Sequence, residues 1–212
     1  FKDCKGNHNY YICSKQINLM PIIHKIAKDG ITILVWKITE SLDVIKSLST
    51  SDKACNYTSE KRKKEQLTSR LLLNKILPNK TIIYNKFGAP ELDNGKYISI
   101  SHSKQLVAVI VSVKKTGIDI EKISEKTLRL STKFVSEKNL IRLSKEKSTL
   151  IWCIKEAIYK WHQEGGVDFI KDIIIPEFTE TEHGSVTVFF NKKELILNYL
   201  KINDHYLVYV CN

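Results

Sequence analysis

Asp119 and Glu121 stand two residues apart in the stretch Gly117-Ile118-Asp119-Ile120-Glu121. On a strand, residues with that spacing share a face. Two carboxylates side by side repel each other unless a cation sits between them, and a divalent ion is the economical counter-charge. The simpler alternative is a pair of solvated charges on an exposed strand edge. Gly117 and the isoleucines on the opposite face argue against a wholly exposed strand. A third carboxylate comes from Trp152-Cys153-Ile154-Lys155-Glu156-Ala157-Ile158-Tyr159-Lys160-Trp161. If this is a helix, Trp152, Glu156 and Lys160 fall at i, i+4 and i+8 on one face. Alone, Glu156 and Lys160 are a helix pair worth about 0.2–0.5 kcal/mol. Brought to the Asp119/Glu121 face, they complete a set of three carboxylates and a lysine. That set suits a magnesium–phosphate site, because Mg²⁺ takes a few carboxylate oxygens and fills its octahedron with water and substrate phosphate.

Two further groups of residues have chemical potential. In Ser99-Ile100-Ser101-His102-Ser103 the serines alternate to one face and His102 sits where a strand would end. Hydroxyls and an imidazole suit a phosphate oxygen, although a turn satisfying its own backbone is the plainer reading. No G-x-S-x-G elbow accompanies them, which argues against a serine hydrolase. Residues 60–80 carry Lys61, Arg62, Lys63, Lys64, Arg70, Lys75 and Lys80 against Glu60 and Glu65. A solvated helix face is the bland account of such a run; a clamp for a phosphate is the functional one.

These groups need elements to hold them. Ile31–Thr39 is rich in β-branched and aromatic residues and reads as a strand. Residues 59–77 read as a helix that Ser59 can cap, with Leu67, Leu71, Leu72, Ile76 and Leu77 as its apolar stripe. Pro78 ends it. Strands are expected at 81–84, 97–101, 106–113 and 117–121, with a turn at Gly88-Ala89-Pro90. One or two helices are expected within 124–145, and an amphipathic helix over 149–163, closed by Gly165-Gly166. The tail alternates through strand-like runs at 173–175, 185–190, 195–199 and 206–211. The order predicts an α+β fold of two halves, 20–115 and 116–212, sharing a core. Residues 1–19 contain no apolar run, and the stretch from Met20 reads like the start of a domain. Residues 1–19 are therefore expected to be a tail or a non-native extension.

The 212 residues carry 34 Lys and Arg against 23 Asp and Glu, a net charge of +11 that calls for an anionic partner. Only Arg62, Arg70, Arg129 and Arg142 are arginines; the other positive charges are lysines. Base-reading DNA proteins lean on arginine's planar fork, so the balance tilts toward phosphate or an acidic surface. The 42% hydrophobic content excludes a wholly disordered chain. No run approaches the roughly 20 apolar residues of a membrane span. Cys4, Cys13, Cys55, Cys153 and Cys211 are odd in number and hold no C-x-x-C, so reduced thiols in a cytoplasmic protein are expected.

The ordered set FGAPEL, ISISHS, GIDIE, KFVSEKNL and WCIKEAIYK resembles the 4′-phosphopantetheinyl transferases, in particular the single-chain surfactin-type class with two pseudo-symmetric halves. The likeness covers Phe87 to Lys160, with a weaker extension back to about Ser59. It implies transfer of the 4′-phosphopantetheine arm from coenzyme A to a serine of an acyl or peptidyl carrier protein, with release of adenosine 3′,5′-bisphosphate. It implies that Asp119, Glu121 and Glu156 hold Mg²⁺, and that Glu156 helps deprotonate the carrier serine. Lys160 would assist the leaving group, with Lys155 supporting the same charge. Ser101 and His102 would meet the cofactor's phosphates, and Arg62 and Arg70, with Lys61, would lie near the nucleotide 3′-phosphate. The family's Gly-Lys-Pro turn is Gly88-Ala89-Pro90 here, so its lysine contact is missing or supplied by Lys86. Tyr159 and Trp161 are expected to be packing residues. The expected partners are coenzyme A and an acidic carrier protein, with no nucleic acid or membrane, for a monomer. Alternatives are a basic nucleic-acid-binding module, which leaves the three carboxylates unexplained, and a homologue that binds coenzyme A or a carrier protein without turnover.

Overall fold

The computed structural model describes residues 21–49, 57–137, 140–141 and 143–212. The expected tail over 1–19 lies outside the described residues. In chain order the elements are β1 (Ile22–Lys28), β2 (Ile31–Lys37), α1 (Leu42–Leu48), α2 (Glu60–Ile76), β3 (Ile83–Tyr84), β4 (Pro90–Glu91), β5 (Tyr97–Ser103), β6 (Leu106–Ser112) and β7 (Thr116–Lys122). There follow α3 (Glu125–Arg129), a 3₁₀ turn (Ser131–Lys133), α4 (Lys145–His162), β8 (Ile173–Ile174), β9 (His183–Phe190), β10 (Lys193–Ile202) and β11 (His205–Cys211).

Two antiparallel sheets organise the α+β fold. One has the order β1-β2-β6-β5 and the other β7-β11-β10-β9-β8; β3 and β4 form a separate small hairpin. Hydrophobic residues on both faces of β2 and β6 explain the layering. On one face Leu34, Trp36, Val107, Val109 and Val111 pack under Leu67, Leu71 and Leu72 of α2. On the other, Ile33, Val35, Ala108 and Ile110 meet Ile118, Ile120, Leu207 and Tyr209 of the second sheet. The second sheet's far face, including Val186, Val188, Leu197 and Val208, is covered by Leu150, Ile154, Ala157 and Ile158 of α4. The resulting layers are helix, sheet, sheet, helix, with the sheets sharing one apolar interface.

Several boundaries differ from the sequence expectation for local physical reasons. β1 was not expected; it joins β2 through Asp29-Gly30, both with positive φ (49° and 73°), the twist that favours a two-residue hairpin. α4 begins before Thr149 because the Ser144 hydroxyl accepts from the Lys147 N–H at 2.9 Å and caps it. α1 was also not expected, and Ser41 caps it through the Val44 N–H. The 124–145 stretch yields only α3 and the 3₁₀ turn as described helices of named extent, after which Phe134 and Val135 plug into Ile151 of α4.

Gly117 explains how α4 and β7 come so close. A Cβ there would lie 2.0 Å from the Ala157 carbonyl oxygen and 2.6 Å from the Trp161 nitrogen. Only a residue without a side chain lets the helix backbone rest on the strand at this point. The same contact brings Glu156 and Lys160 to the strand that carries Asp119 and Glu121.

Candidate active site

β7 turns Ile118 and Ile120 into the interface between the sheets, where both are fully buried. Alternation then puts Asp119 and Glu121 on the opposite face, toward α4. Asp119 is buried rather than solvated at an edge. Its Oδ1 accepts from Lys160 Nζ at 2.6 Å and from the Ser101 hydroxyl at 2.7 Å. Lys160 Nζ also donates to Ser101 Oγ at 2.9 Å. Asp119 Oδ2 is buried with no hydrogen-bond partner among the described residues. Glu121 Oε2 accepts from the Ser103 hydroxyl at 3.0 Å.

The electrostatics follow from burial and crowding. Burial, and then the neighbouring Asp119, push the Glu156 carboxyl up to about 7 against the pull of Lys160. Burial and Asp119 also raise Glu121, partly offset by the Ser103 hydrogen bond. For Lys160, burial acts to release the proton, but Asp119 beside it more than offsets this and the ammonium is held above its usual range. The site therefore holds its lysine charged and penalises its second and third carboxylates.

A cavity of about 280 Å³ opens beside this group, between α2, the end of β5, the 84–90 turn and the C-terminal end of α4. Arg62, His102, Tyr84, Phe87, Tyr159 and Lys160 line it. Arg62 Nη1 lies 2.8 Å from His102 Nε2 and 3.1 Å from Glu65 Oε2. Burial first, and the guanidinium second, lower the His102 pKa, while Glu65 opposes them. Glu65 is buried in α2 and ties Lys61, Arg62 and His102 into one cluster at 3.6, 3.1 and 3.7 Å. The cavity thus has Arg62 and Lys160 at its edge and aromatic surfaces from Tyr84, Phe87 and Tyr159, features that fit a phosphorylated ligand with a flat ring; Lys160 joins it to the three carboxylates, which do not themselves line it.

Residues 115–211, which carry Lys160 and the three carboxylates beside it, match the model of the 4′-phosphopantetheinyl transferase superfamily. The chain belongs to that superfamily. Over 160 residues, 68% of this chain, it is 31% identical to a protein named 4′-phosphopantetheinyl transferase gsp from Aneurinibacillus migulanus. The match spans 65% of that relative's length. Asp119, Glu121, Glu156 and Lys160 all fall inside the superfamily span, whereas Arg62 and His102 come from the other sheet and its helix.

The structure brings Asp119, Glu121, Glu156, Lys160 and Ser101 together, with Arg62 and His102 at the cavity wall. It does not bring Lys155. That side chain lies on the other side of α4, buried, and donates to the carbonyls of Phe169 and Ile173. Its expected role in supporting the leaving group is therefore corrected: one residue from Glu156 is about 100° around a helix, which points it away. Ser101 is also reassigned. Its hydroxyl donates to Asp119 and accepts from Lys160 and from the Ile120 N–H at 3.2 Å, leaving no capacity for a phosphate.

Arg70 does not line the cavity; it lies farther along α2, where its charge acts on the Tyr84 phenol. Lys86 does not line it either, and its ammonium rests over the Phe87 ring, 4.9 Å from the centroid. Ala89 occupies the wall where the family places a lysine, its N–H held at 3.0 Å by the Asn85 side chain. Tyr159, expected to pack, is 39% exposed and lines the cavity. Sequence reasoning missed Glu65, Gln66 and Ser69, which line the cavity from α2. The signal was the spacing of Arg62, Gln66 and Ser69, which repeats on one helical face.

Proposed function

We propose that the protein transfers the 4′-phosphopantetheine arm from coenzyme A to a serine of an acyl or peptidyl carrier protein, with Mg²⁺ and release of adenosine 3′,5′-bisphosphate. The observation that carries this reading is the Asp119–Lys160–Ser101 cluster with Glu121 and Glu156 beside it, joined through Lys160 to the cavity that Arg62 and His102 also line. Among the described residues, no three His, Cys, Asp or Glu side chains close around a metal position. The donor set nevertheless fits Mg²⁺: it is all oxygen, and Asp119 Oδ2 is a buried acceptor without a partner among the described residues. Burial first and Asp119 second raise the carboxyls of Glu121 and Glu156, and a cation among them would offset both. Asp119, Glu121 and Glu156 would hold the ion, which when bound supplies charge neutralisation to the pyrophosphate.

The chain's own groups carry the remaining work. Arg62 and His102 bind the cofactor's phosphates at the wall. Glu156 accepts the proton of the carrier serine as its oxygen bonds to the phosphorus bearing the pantetheine arm. The bond from that phosphorus to the bridging oxygen breaks, and the bisphosphate leaves with its growing charge met by Lys160. Catalysis of this kind is positioning plus charge neutralisation. The net charge of +11 draws both a polyanionic cofactor and an acidic carrier protein. Among the described residues no helix is long and apolar enough to cross a membrane. The reading includes a monomer, because both walls of the cavity come from one chain, and a cytoplasmic location, where coenzyme A and carrier proteins would meet it.

The test is substitution of the three carboxylates. Asp119→Asn, Glu121→Gln and Glu156→Gln should each abolish transfer while the circular dichroism spectrum stays that of wild type. Turnover near wild type in any of them would remove that residue from the site. One observation, Ala89 at the family's lysine position, favours a second reading, coenzyme A binding without turnover. Coenzyme A bound by wild type in a calorimeter, with no product in the transfer assay, would select it.

A further inference from the structure

The alternating serines of β5 have a use that phosphoryl transfer does not require. Ser99, Ser101 and Ser103 Oγ accept from the main-chain N–H groups of Ile118, Ile120 and Lys122 at 3.1, 3.2 and 3.1 Å. β5 ends one sheet and β7 ends the other. A row of side-chain hydroxyls therefore closes the seam between the two sheets where a main-chain ladder would otherwise run. Its offset of 19 residues is constant, so the two strands advance together along the seam.

One position back along β7, at an offset of 18, lie Gly117, Asp119 and Glu121. Ser101 and Ser103 use that proximity to donate to Asp119 Oδ1 and Glu121 Oε2. Ser99 faces Gly117, which has no side chain to receive a proton. Ser101 also accepts from Lys160. Ser103 is buried and does not line the cavity, and its hydroxyl bonds to the seam and to Glu121. A hydroxyl whose lone pair is pinned by an N–H has its own proton aimed.

We infer that Ser103 is a positioning residue for Glu121: the seam between the sheets fixes the hydroxyl, and the hydroxyl fixes the carboxylate for its metal. The inference rests on the Mg²⁺-dependent reading above. Partners of metal ligands typically change affinity by about 10–100-fold when removed.

The experiment measures Mg²⁺ binding by titration calorimetry with coenzyme A present, beside the Mg²⁺ and coenzyme A dependence of transfer. Ser103→Ala should weaken Mg²⁺ binding about tenfold, with the KM for coenzyme A unchanged. Ser103→Thr, which keeps the hydroxyl, should restore binding. Ser99→Ala loses an equivalent seam bond but no carboxylate contact, so it should lower Tm while Mg²⁺ binding stays at the wild-type value. Wild-type Mg²⁺ binding in Ser103→Ala would overturn the inference. So would equal weakening in Ser99→Ala, which would assign the effect to the seam alone. If Ser103→Ala does not fold, Ser103→Cys, a weaker donor of similar size, carries the same comparison. A wild type that binds Mg²⁺ but transfers nothing would remove the transfer reading and leave the Ser103 comparison intact. A wild type that binds no Mg²⁺ would overturn both.

Discussion

Gly117→Ala puts a methyl group where no atom fits. The added Cβ would stand 2.0 Å from the Ala157 carbonyl oxygen and 2.6 Å from the Trp161 nitrogen, both backbone atoms of α4. Neither can rotate away, so relief to an ordinary contact near 3.4 Å requires α4 and β7 to separate by about 1.4 Å. Overpacking of this kind costs about 1–3 kcal/mol, and two backbone clashes place it at the upper end. For a chain of this size each kcal/mol shifts Tm by roughly 2–4 °C, so a fall of about 6–12 °C is expected. The larger effect is on geometry. Glu156 and Lys160 ride on α4, Asp119 and Glu121 on β7, and a 1 Å misplacement of reacting groups costs about 10²-fold in rate. Thermal unfolding and a transfer assay below the variant's Tm read the two effects separately. A Tm within 1 °C and turnover within about twofold of wild type would refute the argument that helix–strand contact sets the site.

Arg62→Ala should raise the KM for coenzyme A by about 10–100-fold, the loss of one charge-assisted phosphate contact, with kcat changed far less; a kcat loss at unchanged KM would remove Arg62 from the binding wall. Lys155→Met should cost about 1–3 kcal/mol by leaving the Phe169 and Ile173 carbonyls without their donor, while the KM for coenzyme A stays within about twofold; a tenfold KM increase would return Lys155 to the cofactor. Lys155 also has a pH signature. Burial lowers its pKa to about 8, below the roughly 10.4 of an unfolded chain, so the charged form opposes folding. That penalty is complete below pH 8 and fades as pH rises toward 10. The stability of wild type relative to Lys155→Met, from urea melts, should therefore rise between pH 8 and 10, and a pH-independent difference would contradict the assignment.

Periodicity made the carboxylate–lysine cluster readable. Alternation in Gly117–Glu121 and the i, i+4, i+8 spacing of Trp152, Glu156 and Lys160 are local rules, and both hold once α4 and β7 touch. The helix over 60–76 and the strands around 31–37 and 106–112 were legible for the same reason. Long-range contacts were not. The serine alternation of β5 was visible, but its partner strand belongs to another sheet, so the hydroxyls suggested a phosphate rather than a seam. Lys155 suggested charge support because it neighbours Glu156; its real partners are carbonyls beyond the end of α4, which no spacing announces. β1 did have a local signal, the Asp29-Gly30 pair between alternating residues. The N-terminus of α4 was signalled by Ser144, a cap five residues upstream of the expected start at 149.

The central claim is tested most directly by intact-mass spectrometry of an apo carrier protein after incubation with this protein, coenzyme A and Mg²⁺, beside a sample containing EDTA. The account predicts a mass gain of one phosphopantetheine arm on the carrier serine, absent in EDTA. An unmodified carrier protein in every sample, or the same gain with EDTA present, would contradict it.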